Sequence, residues 1–237
     1  MIYARLSIDE IGWHALTPNN SMEIDKLIEL YPRLYHMAER GTWESISARG
    51  LLSASAVLDH FELEGDDRTP YESMQRPEKM EVLAGHPEGI VLRDQKPMPR
   101  SRLLVALQDG ITPEDWYRTI NTKVFFWATR ERLIGLLSAR DYRVLEHDVL
   151  TLDAAPFIRH YRNQIWLCHM NSGNTWPMPH RRGANTFCRI ADYPAKRSGK
   201  PVRPVAELVV DHSVPDIARY VIEVHRMRGE DVLGRIF

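Results

Sequence analysis

Two residues whose side chains can do chemistry stand among apolar neighbours. The first is His36, which follows Leu34 and Tyr35 at what the sequence predicts to be a strand end, ahead of a short helix that ends at Gly50. Binding and catalytic residues are often found where an element gives way to a loop. A hydrogen-bonded core histidine would show the same pattern, so position alone leaves both interpretations open.

The second residue is Glu207, a carboxylate inside the apolar run Val-Ala-Glu-Leu-Val-Val at 205–210. In a central strand this charge would need a functional reason, because charged groups are rarely buried without a partner. In an edge strand it would point into water. A carboxylate held in a cleft can stabilise a developing positive charge, as carboxylates do in glycoside hydrolysis.

The elements that must position these residues are short, and long connections join them. The pattern of apolar residues, caps and turn formers predicts helices over 22–30, 43–49, 55–61, 102–107, 129–138 and 156–161, one starting at 112, and strands over 89–94, 124–128, 148–152, 165–168, 205–210 and 220–224. The aromatic strand at 124–128 is expected to be buried on both faces. Residues 62–88 are expected to form an irregular connection outside the core. This mixture indicates an α+β fold.

Composition narrows the class of protein. With 237 residues and 43% apolar content, a single domain over 1–237 is expected. The net charge of −1 gives no global basic field that would attract nucleic acid or membrane. No Gly-x-Gly-x-x-Gly or Walker-type loop is present, and Cys168 and Cys188 lack the spacing of a zinc site or a disulfide framework. No metal is expected, and neither a signal peptide at 1–5 nor a membrane-spanning run is visible, so a cytoplasmic location is expected.

Three segments, taken in order, resemble the motifs of the ADP-ribosyltransferase superfamily. Leu34-Tyr35-His36, followed by a helix and Gly50-Leu51-Leu52-Ser53, is similar to the first motif, and 125–130 resembles the aromatic second motif. Ala206-Glu207-Leu208-Val209-Val210, followed by Val214-Pro215-Asp216-Ile217, resembles the third. The likeness is greatest to the DarT-type branch, which modifies DNA bases, and the RNA 2'-phosphotransferase branch shares the first motif. The chain also resembles an uncharacterised bacterial family.

This resemblance implies an ADP-ribosyltransferase-like fold, with a split mixed β-sheet core, short helices and long loops, and it implies NAD as co-substrate. It assigns catalytic roles to Glu207 and His36. Cofactor binding is expected from His36, Tyr35, Ser53, Arg93, Phe126, Trp127 and Arg130. The acceptor would be DNA, RNA or another molecule. The residues expected to bind it are Asn171, Asn174, Trp176, His180, Arg181 and Arg182. For Arg93 a solvated loop charge, and for the acceptor loop a plain surface loop, stay open as alternatives.

The chain departs from the resemblance in two places. Phe126-Trp127 stand where many members carry polar residues or Tyr, and 62–112 has no counterpart, so we treat it as a variable, insertion-like segment. Two other functions therefore stay open. One is an RNA 2'-phosphotransferase-like or nucleotide-hydrolysing enzyme of the same fold. The other is a non-catalytic nucleotide-binding module, including a protein that works with an antitoxin or regulatory partner.

Overall fold

The computed structural model describes residues 20–86 and 89–237. The sequence features at 1–5, and the part of the predicted helix-capping loop at 17–21 that precedes residue 20, lie outside the described residues. The helices are α1 Ile24–Leu30, α2 Trp43–Arg49, α3 Ala54–His60, α4 Gly65–Glu72, α5 Arg100–Ala106, α6 Pro113–Asn121, α7 Arg130–Leu137 and α8 Ala154–Tyr161. The strands are β1 Asn20–Ser21, β2 Arg33–Glu39, β3 Leu51–Leu52, β4 Met80–Val82, β5 Ile90–Leu92, β6 Lys123–Trp127, β7 Glu146–Asp153, β8 Ile165–Cys168, β9 Cys188–Arg189, β10 Pro194–Ala195, β11 Glu207–Asp211, β12 Ser213–Val214, β13 Val221–Arg228 and β14 Asp231–Arg235.

Eight of these strands form one sheet in the order β14-β13-β7-β2-β6-β11-β8-β9. The protein is therefore α+β, as the sequence predicts. Every pairing within this sheet is antiparallel, so the expected mixed sheet is wrong. A parallel pair needs a crossover that returns along the full strand. Among the described residues the longest helix has nine residues and spans only about 14 Å, which is about half the length of an eight-residue strand.

The sheet is nearly divided between β2 and β6. Strand β2 pairs with β7 along its whole length, from Arg33 opposite Asp153 to Glu39 opposite His147. With β6 it shares a single pair, Tyr35 opposite Trp127. Beyond that pair the two strands separate, so the backbone N–H and C=O groups on their facing edges do not bond to each other and can bond to other groups.

Burial along β6 shows how the sheet packs. Val124 and Phe126 are buried in the main core, where the Phe126 ring lies 5.1 Å from the Phe157 ring of α8. Phe125 and Trp127 point to the other face and are only partly buried. The expectation that this strand is buried on both faces is therefore wrong, because only one of its faces packs against the main core.

The segment expected to lie outside the core is in part buried. Residues 62–86 contain α4 and the strand β4, which forms a hairpin with β5. Arg76 is only 5% exposed. Its guanidinium donates to the carbonyl oxygens of Tyr71 and Arg93 and to Oδ1 of Asn121. These bonds attach the segment to α6, so it forms part of the protein's interior.

Local capping explains where several helices begin. Thr112 and Asp115 form a capping box at α6, with Pro113 in the first turn. The Thr129 hydroxyl accepts from the Arg132 N–H at α7. Both starts were predicted from the sequence. Within the described ranges no helix has the length and apolar character needed to cross a membrane.

Candidate active site

A cleft of about 590 Å³ opens where β2 and β6 separate, and its volume is typical of a small-molecule site. One wall comes from β2 and the α2–β3 segment, and the other comes from β6, the start of β11 and the loop at 171–173. The β5 strand and the residues after it close one side. His36 and Glu207 both line this cleft.

His36 lies in the middle of β2 and not at a strand end, so that part of the sequence-based expectation is wrong. Its Nδ1 atom is 2.8 Å from the carbonyl oxygen of Phe125 on the separated strand β6. A carbonyl oxygen only accepts, so Nδ1 carries the proton and Nε2 carries the lone pair. Burial, together with the charge of Arg93, lowers the pKa of His36 to about 4. The imidazole is therefore neutral at neutral pH.

Glu207 is the first residue of β11 and is 3% exposed. Strand β11 lies between β6 and β8, where Glu207 faces Trp127 on one side and Cys168 on the other. The edge-strand interpretation of Glu207 is therefore wrong. Both carboxylate oxygens accept from the Ser172 N–H at 3.2 Å. Burial raises the pKa of Glu207 to about 7, although the Ser172 hydrogen bond and the charge of Arg182 oppose the rise.

Trp127 belongs to β6, the strand that lies between β2 and β11. It faces Tyr35 on β2 and Glu207 on β11, and it lines the cleft. Its partly buried indole packs against the cluster of Met37, Leu133, Leu137, Val149 and Met227. A flat aromatic surface beside a buried carboxylate is suited to stacking against a planar ring.

Other residues expected to bind the cofactor do not present free side chains to the cleft. Phe126 is among the lining residues, with its ring 5.7 Å from that of His36, but it is fully buried against α8 because its side chain points to the core face of β6. Tyr35 packs with Leu133 outside the cleft lining. Arg130, at the solvent-exposed start of α7, also lies outside the lining. Ser53 does line the cleft, but its hydroxyl accepts from the Ala56 N–H and caps α3.

Arg93 lines the cleft and is partly buried, so the solvated-charge interpretation does not describe it. Its guanidinium lies 5.2 Å from the Tyr142 ring centroid. Nη1 is 3.3 Å from Nδ1 of His147. Among the described residues Nη2 is buried and has no hydrogen-bond partner. A buried donor without an acceptor is costly, which makes Arg93 the lining residue best suited to bind an anionic ligand group.

The loop that was expected to bind the acceptor divides into an exposed part and a buried part. Trp176 is 55% exposed, and the Arg102 guanidinium lies 3.6 Å from its ring centroid. His180 and Arg181 are exposed. Asn174 accepts from the Trp176 N–H, as a turn-forming residue does. These residues leave an aromatic and basic surface beside the cleft.

The remaining two residues of this loop have different positions. Asn171 lines the cleft, and its Oδ1 accepts from the Gly173 N–H. Arg182 is only 1% exposed. Contrary to the expectation, it therefore does not contact an acceptor at the surface. Its guanidinium instead donates hydrogen bonds to three backbone carbonyls of its own loop.

Sequence reasoning missed two residues of the site. Ser172 supplies the N–H that holds Glu207, and Arg76 forms part of the cleft lining. The run of turn formers around Ser172 was visible in the sequence, but nothing in it indicated which backbone N–H would face Glu207. In the described ranges no cluster of three or more His, Cys, Asp or Glu side chains is arranged to hold a metal ion.

Residues 32–221 match the model of DUF7002, a family of unknown function. The chain belongs to this family. The matched range runs from just before β2 to the first residue of β13, so the DUF7002 region contains both His36 and Glu207. Searches with the chain found no matching curated protein and no matching solved structure.

Proposed function

We propose that this protein is an NAD-dependent ADP-ribosyltransferase, which cleaves the nicotinamide–ribose bond and transfers ADP-ribose to a nucleic-acid base or another acceptor. The observation that carries the proposal is the position of His36 and Glu207 in one cleft, contributed by strands on opposite sides of the split in the sheet. The three short motifs that resemble the superfamily converge on this cleft. Its volume of about 590 Å³ suits a ligand of dinucleotide size.

Glu207 supplies the charge that such a reaction needs. When the nicotinamide–ribose bond breaks, its electron pair leaves with nicotinamide and positive charge develops on the ribose. A carboxylate that accepts a hydrogen bond from the neighbouring 2'-hydroxyl stabilises that charge. Since Glu207 is 3% exposed, little water competes for it, and its ionised form interacts more strongly than a solvated acid would.

His36 and Arg93 would bind different parts of the dinucleotide, because one offers a hydrogen-bond acceptor and the other offers donors. With Nδ1 donating to Phe125, His36 offers only an acceptor at Nε2. It can therefore accept from a ribose hydroxyl but not donate to a phosphate. Arg93 offers donors near the same cleft, including the unpartnered Nη2, and is the candidate for the pyrophosphate.

The rim beside the cleft carries the features expected of an acceptor surface. Trp176 is exposed and stacked on Arg102, and Arg181 is exposed nearby in sequence. Thr175 joins this surface to the cleft, since its N–H donates to the Pro97 carbonyl and Pro97 lines the cleft. Aromatic stacking combined with positive charge is a common way to bind single-stranded nucleic acid.

The test is nicotinamide release from NAD by the whole chain, with and without nucleic acid. Wild type is expected to release nicotinamide, and Glu207→Gln is expected to lose at least 100-fold, which is the order of magnitude for removing a group that stabilises developing charge. Glu29→Gln is the matched control, because Glu29 is an exposed carboxylate on α1. Equal release by wild type and Glu207→Gln would rule out this role for Glu207.

Arg93 also favours a second candidate, a phosphotransferase on the same cleft, because its unpartnered Nη2 suits any phosphate. Incubation with 2'-phosphorylated RNA distinguishes the two reactions. Phosphate transfer that survives Glu207→Gln would favour this alternative. A thermal shift with NAD but no turnover of either substrate would favour the non-catalytic module.

A further inference from the structure

Arg182 is a buried cation with an unusual set of partners. It is 1% exposed. Its Nη1 donates to the Ser172 carbonyl at 2.7 Å, Nη2 to the Asn174 carbonyl at 2.7 Å and Nε to the His180 carbonyl at 3.1 Å. All three acceptors belong to residues 172–180. One guanidinium therefore fixes the conformation of the loop that borders the cleft.

Burying this charge is costly, and no carboxylate of the described residues lies within ion-pair distance of it. A guanidinium removed from water without an ionised partner loses hydration that neutral carbonyls replace only in part. The pKa of Arg182 is lowered to about 10 by burial, which still leaves it charged at neutral pH. The Cys168 thiol and then the Glu207 carboxylate oppose this lowering of the pKa.

The position of Arg182 is also fixed by its backbone. Its N–H donates to the Ala106 carbonyl at 2.9 Å, and its carbonyl accepts from the Gln108 N–H at 3.0 Å. These bonds tie the loop to the end of α5. The guanidinium therefore extends from an anchored point, and the loop conformation it imposes is set relative to the rest of the protein.

Ser172 connects this anchor to the cleft. Its carbonyl accepts from Arg182, and its N–H donates to both oxygens of Glu207. The residues on either side of it, Asn171 and Gly173, line the cleft. If Arg182 were shortened, the Ser172 peptide groups would lose the bond that sets their orientation.

We propose that Arg182 is a positioning residue, which holds Ser172 so that its N–H fixes the Glu207 carboxylate in the cleft. The chemistry that Glu207 then performs rests on the proposed function, but the positioning itself does not. The groups that act electrostatically on Glu207 are Arg182, Arg132 of α7 and the neighbouring Cys168 thiol of β8. Arg182 is the one among them that also bonds the segment holding the carboxylate.

The test compares Arg182→Met and Arg182→Lys with Arg197→Met, whose exposed side chain outside the proposed site makes it the matched control. The readout is the titration of the Glu207 carboxyl carbon, followed by ¹³C NMR and assigned with Glu207→Gln. We expect Arg182→Met to raise the pKa of Glu207 by about one unit, which leaves about tenfold less carboxylate at a pH below both values. Arg182→Lys, which keeps a charge but not the fork, should give a smaller rise.

The positioning role of Arg182 and the proposed transferase activity can be disproved independently of each other. A raised pKa of Glu207 in Arg182→Lys, which keeps the positive charge, supports the positioning role even if wild type releases no nicotinamide, whereas a rise in Arg182→Met alone is also the result of losing the charge. If wild type is active, kcat in Arg182→Met should fall more than KM changes and should recover at higher pH. Should Arg182→Met not fold, Arg182→Lys carries the test. A Glu207 titration identical to wild type in a folded Arg182→Met or Arg182→Lys protein would overturn the proposal.

Discussion

At the scale of single residues, burial acts in opposite directions on the two groups that face the cleft. It lowers the pKa of His36 to about 4 and raises the pKa of Glu207 to about 7. Both shifts favour the neutral form, because removing a group from water disfavours its charge. At neutral pH the imidazole of His36 is already neutral, so Glu207 is the one of the two whose charge changes near the working pH.

The first prediction concerns pH. If the ionised carboxylate is required, nicotinamide release should rise as the pH passes upward through about 7, because Glu207 is protonated below its pKa and ionised above it. His36 should add no step between pH 6 and 9. Initial rates measured across pH 5–9 check this. Rates that stay constant, or fall, between pH 6 and 8 would contradict it.

The second prediction separates the two nitrogens of His36. In His36→Asn the amide nitrogen stands near the place of Nδ1 and can still donate to the Phe125 carbonyl, but the acceptor at Nε2 is lost. His36→Ala loses both. We expect His36→Ala to lower the free energy of unfolding by about 1–3 kcal/mol, the usual cost of an unpaired buried carbonyl, and His36→Asn to lower it less.

Urea unfolding measures both variants, and NAD binding provides the second readout. Both variants should bind NAD more weakly than wild type, because both lack the Nε2 acceptor. His36→Asn and His36→Ala that are equally stable would show that the bond to Phe125 contributes little. Wild-type NAD affinity in either variant would remove His36 from the binding site.

At the scale of elements, one close approach sets a wall of the cleft. Gly50 ends α2 with φ +88°, and a Cβ added there would lie 2.5 Å from the Pro215 Cα. Gly50 therefore lets the α2–β3 segment pack directly on the backbone around β12. Gly41 has a similar φ of +81°, but nothing lies within 4 Å of its added Cβ.

The third prediction uses this matched pair of glycines. Gly41→Ala should cost about 1–2 kcal/mol, the cost of a Cβ in a left-handed conformation. Gly50→Ala should cost more, because φ +88° with ψ 174° is a conformation essentially restricted to glycine and the clash adds about 1–3 kcal/mol. It should also weaken NAD binding because it displaces a cleft wall. Thermal or urea unfolding checks the stabilities. Equal losses in the two variants would mean that the approach to Pro215 is not tight.

The elements also show what the sequence could and could not predict. The starts of α6 and α7 were predictable because Thr112 and Thr129 bond to N–H groups three residues away. The stop at Gly50 was equally local. The mid-strand position of His36 and the central position of β11 depend on which strands become neighbours, and no local signal carries that information. The burial of Arg182 could not be predicted for the same reason, since arginine side chains are mostly exposed.

At the scale of the whole molecule, the cleft and the Trp176 surface are separate features that Thr175 and Pro97 connect. This separation predicts that bond cleavage and acceptor binding can be changed independently. The α+β class was predictable from composition and pattern, but the all-antiparallel sheet was not, because strand direction depends on long connections that carry no pattern of their own.

The fourth prediction tests that separation. Trp176→Ala combined with Arg181→Ala should weaken binding of single-stranded nucleic acid about tenfold or more, because one stacked base contributes about 1–3 kcal/mol. The wild-type binding should also weaken with salt. Nicotinamide release without nucleic acid should stay within twofold of wild type. Arg197→Ala, another exposed arginine, is the control. Unchanged nucleic-acid affinity in the double variant would exclude this surface.

The central claim is that one dinucleotide contacts both His36 and Glu207. The most direct measurement is a crystal structure of the wild-type protein with a non-hydrolysable NAD analogue. The account predicts a ribose hydroxyl within hydrogen-bond distance of His36 Nε2, and the 2'-hydroxyl of the other ribose within that distance of a Glu207 carboxylate oxygen. An analogue bound outside this cleft, or one that reaches only one of the two side chains, would contradict it.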